Sequence, residues 1–110
     1  MEQPLLVLSN VPDASVAQDL ARHVVALRLA ACVNILPGVQ SIYQWQGKVE
    51  VADEVTLFIK TTTALYPELE AAIKARHPYD VPEIIALPIV DGLPAYLAWI
   101  MQETVKDVNV

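Results

Sequence analysis

The stretch ARHPYDVPEI, residues 75–84, gathers an imidazole, a phenol and two carboxylates around two prolines. Those are the donors that a metal ion or a polar small molecule needs. Tyr79 and Glu83 are candidate walls of a ligand pocket. Pro78 and Pro82 fix φ and bias the residues before them toward extended backbone, so residues 79–81 are held straight and their side chains aimed. Solvated polar residues need no such bracketing. The plainer reading of His77 is a helix-terminal histidine that suits the negative end of a helix dipole.

The remaining chemistry is sparse. The chain has one cysteine and two histidines. Cys32 precedes alternating apolar residues and reads first as a small buried hydrophobe, with a thiolate role second. His23 falls inside a helical pattern and reads as a surface or rim residue. Tyr43 and Trp45 suit cross-strand packing or, together with Lys48, the lining of a pocket between subunits. A nucleophile elbow, a Gly-rich phosphate loop, HExxH and CxxC are all absent, and a His77–Glu83 acid–base pair would lack a nucleophile, so an enzyme is not expected. Seven Lys/Arg are scattered singly in a chain of net charge −6. That leaves no basic stripe for a nucleic-acid backbone. No apolar run approaches the roughly 18 to 20 residues of a membrane span. The start Met-Glu-Gln-Pro lacks the basic character of a signal peptide, and a lone cysteine fits a reducing compartment; both point to the cytoplasm.

The elements that position these residues emerge from periodicity. A length of 110 residues allows one domain, residues 1–110. Leu5 to Leu8 suits a buried strand. Asp13 or Ser15 can cap the next helix, Gln18 completing a capping box with Ser15, and Val16, Leu20, Val24 and Leu27 carry the helix to about Leu29. From Ala31 the pattern becomes strand-like, with a bulge or bend at Pro37-Gly38 and a hairpin turn at Gln46-Gly47; Val49 to Thr62 returns. Pro67 opens a second helix that Pro78 stops. Ile84 to Val90 forms another strand, Asp91-Gly92 a turn, and Pro94 opens a last helix with Leu97, Ile100 and Met101 on one face. The result is an α+β chain of the ferredoxin-like βαββαβ order with a long β-hairpin and an extra C-terminal helix. A 55% hydrophobic, 18% charged composition with mean hydropathy +0.39 exceeds what a lone small domain buries, and an overlong hairpin should not be left bare; both predict a homo-oligomer.

Four segments, LAACVNI, PGVQSIYQWQGKVE, the E…IKTT strand and HPYDVPEI…LPI, together resemble the CutA family, the divalent-cation tolerance proteins, over nearly the whole chain. The resemblance implies a homotrimer of ferredoxin-like subunits, PII-like in architecture, and a link to copper tolerance. In some members the ligands proposed for copper are a cysteine ending strand one and two adjacent histidines before Pro-Tyr. Here those positions are Ser9 and Arg76-His77. The resemblance therefore leads to the expectation of a divalent-cation (copper) tolerance protein that takes up copper(II) weakly, through His77 and Glu83 in a cleft between subunits. The alternative is a PII-like signalling trimer without a physiological metal, binding a small anion or metabolite near Tyr79, Glu83, Lys48 and Trp45. A structural trimer with neither is the third reading.

Overall fold

A computed structural model describes residues 2–105. Its elements are β1 (Pro4–Val11), α1 (Ala14–Ala26), β2 (Cys32–Trp45), β3 (Lys48–Thr62), α2 (Tyr66–Arg76), β4 (Ile84–Pro88) and α3 (Pro94–Glu103). The four strands form one antiparallel sheet in the order β2-β3-β1-β4. This is the ferredoxin-like arrangement with an added helix.

One core lies between the sheet and the first two helices. Alternate residues of β1 (Leu5, Val7, Val11) and β3 (Val55, Leu57, Ile59) meet Leu20 and Val24 of α1 and Leu69 and Ile73 of α2. Val7 stands opposite Ile59, and Val11 opposite Val55, so the strand period of two delivers both rows to the same face. Helix α3 packs against β3 and β1; Ile100 is fully buried outside the core cluster, with Met101 half-buried beside it.

Boundaries differ from the sequence expectations where polar residues mark the expected stops. Strand β1 continues past Leu8 to Val11, because antiparallel pairing carries Ser9 and Asn10 along opposite Leu57 and Thr56. Helix α1 begins on Asp13, whose Oδ1 accepts the Val16 N–H at 2.9 Å. The Ser15–Gln18 capping box is therefore not the one used. Cys32 is half-buried and unbonded to sulfur, not a core residue; its Sγ lies 3.9 Å from Lys60 Nζ. No helix among the described residues is long and apolar enough to cross a membrane.

The hairpin turn falls at Gln46-Gly47, with φ of 51° and 81°. Two consecutive positive φ values define a type I′ connection, whose twist matches that of paired strands. A bulge lies between Leu36 and Val39, where Gly38 takes φ 78°. Pairing of β1 with β3 ends at Val11–Val55, directly beside this bulge. Beyond it, residues 39–54 form a two-stranded arm with Ile42, Val49 and Val51 each at least 60% exposed. On the sheet face away from α1 and α2, Ile85 and Leu87 stand beside Leu8 and Leu6 and are about half exposed.

Candidate functional site

The site begins where α2 ends. His77 caps the helix, its N–H reaching Ile73 O at 2.9 Å, with extended ψ of 134°, as the next residue, a proline, requires. The His77 ring then turns inward and is buried. Its Nδ1 accepts the Tyr79 N–H at 3.2 Å, which puts the ring proton on Nε2, 2.7 Å from the Asn10 carbonyl that accepts it. The ring also leans on Tyr79, with centroids 4.8 Å apart. His77 thus ties the end of α2 to β1 and sets the course of the Pro78–Pro82 segment.

That segment faces the arm of its own chain. The Tyr79 hydroxyl donates to Glu54 Oε2 at 3.0 Å, and Glu54, on β3 opposite Val39, is only 8% exposed. Thr56 Oγ1 donates to Asn10 Oδ1 at 2.6 Å, and Asn10 Nδ2 donates to Glu83 Oε1 at 3.1 Å. Burial and then the hydrogen bond to Glu54 push the Tyr79 phenol up to about 12, with the charge of Glu54 adding to both. The phenol therefore stays a donor throughout the neutral range.

These residues border a 570 Å³ cleft, within the size range of small-molecule sites. Its walls are Tyr43, Trp45 and Tyr79 with Ile42 and Val81, and its polar groups include Glu54, Asp80 and Glu83. Tyr43 and Trp45 succeed Val39 on the β2 face that carries Glu54 on β3, so strand alternation aims them together. Tyr79, Glu83 and Trp45 are brought to one cleft. Lys48 stands opposite Trp45 across the turn but does not line it, and His77 lies behind it.

Sequence reasoning misses Asn10 and Glu54. In the sequence Asn10 only ends an apolar run, and Glu54 is one of several polar residues in a long strand. The one usable signal is that an acidic residue interrupts the strand just before Val55, Leu57 and Ile59.

The donor set fits a transition metal poorly within one subunit. Both His77 nitrogens are engaged, Ser9 is a fully buried core neighbour, and no group of three His, Cys, Asp or Glu among the described residues could hold a metal ion. A well-built site needs three or four convergent protein ligands.

A sequence model of the family described as CutA1 divalent ion tolerance protein matches residues 5–103. The divalent-cation tolerance protein CutA of Thermus thermophilus is 52% identical over 99 residues, 90% of this chain and 96% of that protein. Protein CutA of mouse is 50% identical over 93 residues, 84% of this chain but 52% of the mouse protein, so the chain spans about half of that relative. Among solved structures, the Thermus thermophilus divalent cation tolerance protein superposes with a TM-score of 0.90 at 50% identity, covering 96% of this chain and all of that one. CutA1 of Oryza sativa gives 0.92 at 43% identity, covering 96% of each. With the fold, the long hairpin and residues 5–103 all matched, this chain belongs to the CutA1 divalent ion tolerance protein family.

Proposed function

We propose that this chain acts as a homotrimeric, non-catalytic divalent-cation tolerance protein of the cytoplasm, responding to cations through the cleft between the Pro78–Pro82 segment and the arm. The observation that carries this reading is the cleft itself, which Glu54, Asp80 and Glu83 all line without a basic residue. Copper(II) is bound there weakly, with Glu83 as a donor and further donors from a neighbouring subunit. His77 contributes only by giving up both of its hydrogen bonds, so its part is positional. A second reading, a PII-like ligand-responsive signalling trimer, is favoured by cleft volume, since 570 Å³ far exceeds the space of one ion. The trimer is supported by the exposed apolar arm and by Ile85 and Leu87 on the open sheet face, surfaces that monomers rarely leave bare.

Light scattering on the eluting peak should return three times the 12.1 kDa chain mass; a monomer at micromolar concentration would remove the assembly. Copper(II) titrated into the trimer should bind with tens-of-micromolar affinity or weaker, given so few donors. Glu83→Gln should weaken that binding, and unchanged titration would show that the metal goes elsewhere.

A further inference from the structure

We infer that the cleft recognises a small organic ammonium ion, in preference to a bare metal ion or an anion. The inference rests on the cleft being the ligand site and specifies what enters it. Three observations converge. First, Glu54 is more than nine-tenths buried, and its one side-chain hydrogen bond among the described residues comes from the neutral Tyr79 hydroxyl. The single ion pair among the described residues is Arg76–Asp19, so none of their cations offsets Glu54, Asp80 or Glu83. A buried carboxylate that finds no counter-charge within its own subunit is a costly arrangement that a cationic ligand in the cleft would relieve. Second, Tyr43, Trp45 and Tyr79 contribute aromatic walls to the same cleft, and aromatic faces attract ammonium groups, Trp most strongly. Third, the volume suits a molecule of several heavy atoms, whereas the carboxylates do not converge as a metal site requires.

The geometry also disfavours the anion that Lys48 would have welcomed, because Lys48 lies outside the lining while Glu54, Asp80 and Glu83 lie in it. Glu83 already accepts from Asn10 through one oxygen and keeps the other for an N–H donor. The bound ammonium would thus sit between carboxylates, with its alkyl part against Trp45 and Val81.

The test monitors Trp45 fluorescence in the full-length trimer carrying Trp99→Phe, so that the remaining indole reports the cleft. The probes are 1,4-diaminobutane and choline, with acetate, glycerol and copper(II) in parallel. A saturable change with either amine, weakened at least tenfold by Glu54→Gln and by Tyr43→Ala while trimer mass and circular dichroism hold, is the expected result. Saturation by acetate, glycerol or copper(II) without either amine would overturn the ammonium assignment and leave the cleft as a ligand site. Amine binding indifferent to both substitutions would also overturn it. Silence with every probe up to tens of millimolar would remove both the assignment and the cleft reading.

Discussion

His77 and Tyr79 divide the labour that the sequence assigns to one motif. The imidazole, with both nitrogens bonded within its own chain, is a strut; the phenol faces the cleft and orients Glu54. Residue type and flanking prolines make it legible that the helix stops here and that polar side chains gather. Residues 78–81, however, run through consecutive bends instead of the straight course expected, because the Tyr79 N–H turns back to His77 Nδ1 and its hydroxyl to Glu54. The segment's target is not legible, because Tyr79 and Glu54 are 25 residues apart and His77 and Asn10 are 67 apart. Such contacts depend on how three strands register. The Tyr79 phenol, ordinarily near 10, is raised to about 12, so the folded chain holds that proton more tightly than the unfolded one. The associated stability is complete below about pH 10 and is lost as pH climbs toward about 12. Urea midpoints measured from about pH 9 to 12 should therefore fall more steeply for the native protein than for Tyr79→Phe; parallel curves would show that the phenol is not held by Glu54.

At the scale of elements, the strongest sequence signals are those with a steric cause. Pro67 and Pro94 stand in the first turns of α2 and α3, Gln46-Gly47 makes the turn, and Gly38 accompanies the bulge. The N-terminus of α1 is ambiguous in the sequence because Asp13 and Ser15 both have capping side chains, and only the backbone decides between them. Asp13 is extended, with φ −156°, as an N-cap must be, whereas Ser15 is already helical. Asp13→Ala should accordingly lower the unfolding free energy by about 1 kcal/mol, and Ser15→Ala by no more than about 0.5 kcal/mol. Denaturant titrations of the two variants would separate them; equal losses would mean that the cap is shared.

For the whole molecule, the arm dominates. Strand β3, with 15 residues, spans about 46 Å at about 3.3 Å per step, which equals the longest dimension of the subunit, 46 Å. The sequence predicts an overlong hairpin to be covered by a neighbour; it does not reveal that the same arm, from Glu54 at its base to Trp45 beside its turn, borders a cleft against its own chain. The turn imposes one pairing frame on the arm and the sheet another, offset by one residue, and the stretch around Gly38 absorbs the difference. Deleting Gly38 would bring both frames into phase, so every strand pair from Cys32–Lys60 to Trp45–Lys48 should survive while the bend a bulge imparts is lost. Circular dichroism should stay native as Trp45 swings away from Tyr79 and its fluorescence becomes that of a solvated indole. If Trp45 stays in place, the bend is written elsewhere in the arm. If Trp45 swings out as expected, one glycine is the hinge allowance by which a single strand can serve its own sheet and, in the proposed trimer, a neighbouring subunit.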